Sequence, residues 1–327
     1  MTSMETEFTS SRENGRKRPR GYADWRPQAK TRVLLDQVRE IFVTYEEYLP
    51  LTVRQVFYAL VGTFDYPKTD DAYARLCDHL VRARRARLIP FDWLRDDGVV
   101  VIQHRWFDGP ADFWDHVGDQ AQRYERDKQT GQPVYVELWT EAAGMMPQLA
   151  RVAEQFSVPV YSCGGFASLP AVRQIVDRAY GRNVPTVLLH VGDFDPSGEA
   201  VFEHITEDAS EFLLEDRILQ TQEIIAHRVA LTRGQVSAYD LPSPPVKKAK
   251  SKSGKPSKAH ETLHDRWKHE HGDHTCQLEA LPPDVLAVLV RDAIEDYLNL
   301  DLLAQYELGE QAERIQLLRA LPSGEEA

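Results

Sequence analysis

The chain has 327 residues, 42% of them hydrophobic and 28% charged, with a formal charge of −12. A single core usually stops growing near ~250 residues, so two domains are expected, and no run approaches the ~18 apolar residues of a membrane-spanning helix. Three cysteines (Cys77, Cys163, Cys276) without a CxxC pair exclude a disulfide framework, and the polar start MTSMETEF lacks a signal peptide's apolar run, so a cytoplasmic protein is expected.

The charge is unevenly placed. Residues 1–110 hold 18 Lys and Arg against 16 Asp and Glu, whereas the remainder holds 21 against 35. A mildly basic front half joined to an acidic back half suits a part that grips polyanions followed by a part that holds cations; the plainer reading is an acidic surface that confers solubility.

Residues 1–28, with Arg16, Lys17, Arg18 and Arg20 among Ser, Asn, Gly and Pro, have the composition of a disordered basic arm. From Lys30 to about Tyr48, Val33, Leu34, Val38, Ile41 and Phe42 recur at helical spacing, and Pro50 ends that helix. Thr52 is placed to cap a second helix, TVRQVFYALVG, closing at Gly62. A third helix runs from about Asp71 through Arg87 and carries Arg82, Arg84, Arg85 and Arg87, which could follow a phosphate backbone or simply favour the helix dipole. The alternating stretch LIPFDWL then reads as a strand of a β-wing. Three helices and a small wing describe a winged helix over residues 29–110.

Past residue 111 the rhythm changes. Short apolar runs PVYVELW, VPVYS and TVLLHVGDFD alternate with helical segments beginning near Gly144, Ser168 and Ser197, which predicts βαβ units, a parallel sheet and an α/β fold. Residues 240–260 form a Pro/Ser/Lys-rich linker, and LEALPPDVLAVLVRDAIEDYLNLDLLAQY predicts C-terminal helices suited to packing or dimerisation.

Asp193 and Asp195 follow an apolar strand and precede a helix, so both carboxylates emerge on one face at the strand's carboxyl end before Pro196-Ser197-Gly198 turns the chain. Two close carboxylates repel unless a cation sits between them, and Mg²⁺ suits a site of a few carboxylates and waters. The neighbouring strand offers a third acid: Glu137 inside it or Glu141 at its end, with position favouring Glu141. In the second helix Tyr58 falls about 140° from Val53 and about 40° from Arg54, so tyrosine and arginine share a face beside the buried one formed by Val53, Val56, Phe57 and Leu60. A neighbouring cation favours phenolate and could hold a phosphate.

A strand ending in Glu, a small-residue helix start and, about fifty residues on, an apolar strand ending in DxDPxG together resemble the Toprim domain of topoisomerases, primases and some nucleases. Arg54 and Tyr58, after Thr52, resemble the catalytic-tyrosine helix of the topoisomerase VI A subunit and the meiotic double-strand-break protein, and a winged helix before a Toprim domain is the order in that superfamily. The resemblance implies a short, free-standing form of that family: Tyr58 the attacking nucleophile with Arg54 its partner, Glu141, Asp193 and Asp195 the Mg²⁺ ligands, and Arg82, Arg84, Arg85 and Arg87 on DNA. It further implies double-stranded DNA as substrate, a homodimer, an ATPase B-type partner for strand passage, and a nucleoid-associated location. Where related sequences often follow the Glu with Lys, this chain has Ala142, so Glu137 stays an alternative ligand. A hydrolytic Toprim nuclease and a noncatalytic DNA-binding protein are the other readings.

Three further signals are weaker. His260, His264, His269, His271, His274 and Cys276 invite zinc, but no CxxC or HExxH accompanies them. SGKPS lacks the earlier Gly of a P-loop, so no ATPase is expected within this chain. Glu279 resembles an acidic position that follows the Toprim core and equally suits a helix cap.

Overall fold

A computed structural model describes residues 22–95, 105–162, 169–216, 223–246 and 258–322. The basic cluster at Arg16–Arg20, Cys163 and the lysines of 247–257 lie outside the described residues.

The first helices form where the apolar spacing placed them: α1 spans Ala29–Thr44, α2 Val53–Phe64 and α3 Asp70–Arg85. Thr52 caps α2 by accepting from the Gln55 N–H, and the Gln55 side chain returns the bond to the Thr52 N–H. Leu35, Val38, Phe42, Val56, Leu60 and Leu76 close a core between the three helices. The expected wing strand does not form. LIPFDWL instead makes a 3₁₀ turn at Phe91–Trp93, and only one bridge, Leu51 with Leu94, joins it to the chain before α2. Pro90 has no N–H for a ladder, and the alternating apolar residues serve the helical core instead, with Trp93 against Phe42 at 5.2 Å. Residues 22–28 also depart from the expected free arm, since Trp25 stacks on His79 and the Ala23 N–H donates to Arg85 O.

After α4 (Pro110–Gln122), the chain alternates β1 (Tyr135–Thr140), α5 (Met146–Ala153), β2 (Val160–Ser162), α6 (Leu169–Tyr180), β3 (Thr186–Val191), α7 (Pro196–Asp216) and β4 (Ile224–Ala230). The four strands are parallel in the order β2-β1-β3-β4, so the fold is α/β. Two-residue periodicity sorts the faces. Val136, Leu138, Val187 and Leu189 pack towards α5 and α10 (Pro283–Glu295), while Trp139 and Leu188 pack towards α6 and α7. β1 leads to β2 on one side and the chain returns to β3 on the other, which makes the carboxyl ends of β1 and β3 the topological switch point where α/β sheets hold ligands.

The presumed linker is structured at both margins. Leu241 is buried, Pro244 O accepts from the Thr275 N–H, and α9 begins at Lys258 and runs to His271. α8 (Arg233–Ala238) lies between β4 and that segment, and the last helix, α11 (Leu300–Arg319), packs on α4. Gln55 couples the two halves by donating to Gln148 Oε1 at 2.7 Å, and Gln148 donates in turn to Pro283 O.

Glu137 is fully buried in the middle of β1, where Arg178 donates to both of its oxygens at 2.8 and 2.9 Å and Arg182 to one at 3.0 Å. This carboxylate is committed to the fold. Removing one member of a buried ion-pair cluster leaves the others uncompensated, so Glu137→Ala is expected to lose about 3 kcal/mol, the low end of the range because both arginines reach solvent. Urea unfolding of the variant against wild type checks it.

Candidate active site

The switch point collects the acids. Glu141 follows β1 directly, and Asp193 and Asp195 follow β3 in the turn that starts α7. β1 and β3 pair in register from Tyr135 with Thr186 to Thr140 with Val191, so the two strand ends stand at the same height. Gly198 lets the acids approach. A Cβ there would lie 2.8 Å from Glu141 Oε2, 2.9 Å from Asp193 O and 3.5 Å from Asp195 Oδ1.

Each carboxylate has a distinct setting. Asp195 Oδ1 accepts from the Gly198 N–H at 2.7 Å, so this residue also caps α7. Asp193 Oδ1 accepts from the Leu278 N–H at 2.9 Å. Burial pushes the Asp193 carboxyl up to about 7; the Leu278 bond opposes that rise, and Glu279, Asp195 and Glu141 add to it. Glu141 is raised by burial and then by Asp195, against the pull of Arg228, and its Oε2 is buried without a hydrogen-bond partner. Glu137, the alternative ligand, points instead into the Arg178–Arg182 cluster.

Tyr58 reaches the same place from α2. A cavity of about 630 Å³ is lined by Arg54, Tyr58 and Lys68 on one side and by Asp193, Asp195 and Cys276 on the other. The expectation of an exposed tyrosine face is corrected, because residues 276–281 cover it. The Tyr58 hydroxyl donates to Gln277 Oε1 at 2.7 Å, and Cys276 forms an antiparallel bridge with Phe194. Burial raises the phenol well above its usual value, Cys276, Glu279 and Asp193 add to this, and Arg54 opposes it without prevailing. Arg54 itself is hydrogen-bonded to Tyr73 and held charged by Glu279 against the effect of burial.

The other expected residues lie elsewhere. Arg82, Arg84 and Arg85 end α3 and Arg87 lies just past it, all outside the cavity lining; Arg82 pairs with Asp78 at 2.9 Å, and Arg84 and Arg87 lie over the rings of Phe91 and Tyr22. His264 lines the cavity, while His271 packs on Trp267 and contacts Glu199 at 3.2 Å.

Sequence reasoning missed Lys68, whose Nζ lies 5.8 Å from the Tyr58 ring centre, together with Gln277 and Arg228. No motif marks these three. Their roles come from a turn, a late segment and an edge strand brought together only by folding.

Among the described residues, no three His, Cys, Asp or Glu side chains converge closely enough to ligate one ion directly. The pair Glu141 and Asp195, with one unsatisfied buried oxygen and a side-chain-free Gly198 between them, fits a hydrated Mg²⁺, which takes one or two carboxylates and keeps several waters. Protein-family models and curated proteins give no match to this chain.

Gly198→Ala is expected to push Glu141 away and cost about 1–3 kcal/mol through overpacking, since the new methyl meets Asp193 backbone as well as a carboxylate. Thermal unfolding of the variant against wild type gives the cost.

Proposed function

We propose that this protein is a Mg²⁺-dependent DNA-cleaving enzyme of the topoisomerase VI A type, a three-helix domain joined to a Toprim domain, in which Tyr58 is the nucleophile. The observation that supports this reading is the shared cavity: a tyrosine and arginine from α2 face two aspartates that follow β3, more than 130 residues further along the chain.

In the proposed reaction the Tyr58 oxygen attacks a backbone phosphorus, the bond from phosphorus to the 3′-oxygen breaks, and the strand ends as a 5′-phosphotyrosyl link and a 3′-hydroxyl. Arg54 and Lys68 supply positive charge beside the phosphate. Glu141 and Asp195 would hold the metal, with Asp193 beside them, and bound Mg²⁺ would supply Lewis-acid stabilisation of phosphate charge. In the observed arrangement the phenol donates to an amide oxygen that cannot take its proton. Attack therefore requires the hydroxyl to exchange Gln277 for a group that can. Cutting both strands takes two tyrosines, so the proposal includes a second copy of the chain, and strand passage would call on a separate ATPase subunit. No helix among the described residues is long and apolar enough to cross a membrane.

One observation favours a second reading. Tyr58 is half-buried, hydrogen-bonded and raised in pKa, which suits a hydrolytic nuclease in which the tyrosine only packs. Supercoiled plasmid incubated with the protein and Mg²⁺, quenched with detergent and run before and after protease digestion, separates the two. The proposal expects protein-linked breaks that Tyr58→Phe and Asp195→Asn each reduce by at least about 100-fold, the scale of losing a nucleophile or a charge-stabilising group. Free-ended breaks that persist in Tyr58→Phe would select the hydrolytic enzyme.

A further inference from the structure

Beneath the acids lies a partly buried cation that no motif marks. Arg228 stands on β4 opposite His190 of β3, at the point where the register slips so that Val191 pairs with Ala230. Its fork is spent on the polar groups below the acidic turn. Nε donates to Leu231 O at 3.0 Å, Nη2 to Asp193 O at 2.5 Å and to Gly192 O at 3.4 Å, and Nη1 meets His190 Nδ1 at 3.1 Å. His190 is 1% exposed, stacked on Phe202 with ring centres 4.2 Å apart, and kept neutral by burial and by Arg228. The imidazole thus accepts from the guanidinium and adds no charge of its own.

Arg228 makes no direct ion pair among the described residues, yet Glu199, Asp195, Glu141 and Asp193 all act on it. Glu199, which acts on it most, also contacts His271 at 3.2 Å; the other three are the site acids. A partly buried guanidinium whose hydrogen bonds go to carbonyls keeps its field for the charges around it. One guanidinium set against several acids leaves the pocket short of positive charge, a deficit that a cation can meet.

We infer that Arg228 is the built-in counter-cation of the acidic pocket: it holds the Gly192–Asp193 turn by its carbonyls, offsets the carboxylates when the metal is away, and weakens the metal's binding when it is present. The inference rests on the metal reading above and assigns Arg228 a positioning role with an electrostatic component, not contact with DNA.

The test compares thermal unfolding of the full chain, Arg228→Met and Arg228→Lys, each in EDTA and in excess Mg²⁺, and adds a Mn²⁺ titration. In EDTA, Arg228→Met should melt several degrees below wild type. Adding Mg²⁺ should raise it by more than it raises wild type, because a cation then replaces the lost one. Mn²⁺ should bind Arg228→Met at least about tenfold tighter than wild type, a modest part of the repulsion between a guanidinium and a divalent ion in one pocket. Arg228→Lys keeps the charge without the fork and should match wild-type Mn²⁺ affinity, and if Arg228→Met does not fold, the neutral but hydrogen-bonding Arg228→Gln takes its place with the same tenfold tightening expected. Equal metal responses in wild type and Arg228→Met, or a Lys variant that binds metal as tightly as the Met variant, overturn the counter-cation and leave the metal site standing. Absence of any response in wild type removes the metal site and the counter-cation together.

Discussion

Everything at the candidate site depends on the parallel pairing of β1 with β3. Because six consecutive residues of each strand pair in register, Thr140 and Val191 end their strands side by side, and the residues that follow are forced into one small volume. Those residues are acids. Parallel strands buried on both faces are normally apolar throughout, and here polarity is admitted at defined depths: Glu137 in mid-strand, answered by two arginines, and Glu141 beyond the strand end, answered by none directly. Depth along one strand thus separates a carboxylate that holds the fold from one whose buried oxygen has no hydrogen-bond partner.

The second constraint is the segment from Cys276 to Leu278. It bridges Phe194 by backbone pairing, donates the Leu278 N–H to Asp193, and offers the Gln277 side chain to Tyr58. Its Cys276 is buried, with its thiol pushed up to about 12 by that burial, so the residue behaves as a small apolar wall and not as a reactive thiol. A stretch that sequence inspection treats as the tail of a histidine-rich region is in this way a second physical link, beside Gln55, between the helical front half and the sheet.

Much of this was legible in the residues themselves. Thr52 announced the start of α2, the apolar runs announced β1 to β3, and the spacing of Asp193 and Asp195 announced a shared strand-end face. What was not legible depended on long-range packing. LIPFDWL alternates like a strand, yet periodicity says nothing about whether a partner strand is within reach, and Pro90 had already removed a donor. IIAHRVA, which forms β4, hides behind its His and Arg, and the place of the arginine in a strand makes sense only once Arg228 is seen under the acidic turn. Helical geometry placed Tyr58 beside Arg54 correctly but could not foresee that a segment more than 200 residues away would cover that face.

The assembly of the cavity also sets an order of events. Its walls come from residues 54–73, 193–197, 244–246, 264 and 275–277, so closing it means bringing together points separated by most of the chain. Contacts of such separation are among the last to be made as a chain folds, because their loop entropy must be met by structure already in place. During synthesis, α2 and the strand ends can each form while Gln277 and Leu278 are still to be made, and until then Tyr58 and Asp193 lack the partners seen here. The geometry that unites tyrosine and carboxylates is therefore a late product of synthesis, completed only once residues 275–278 have been made.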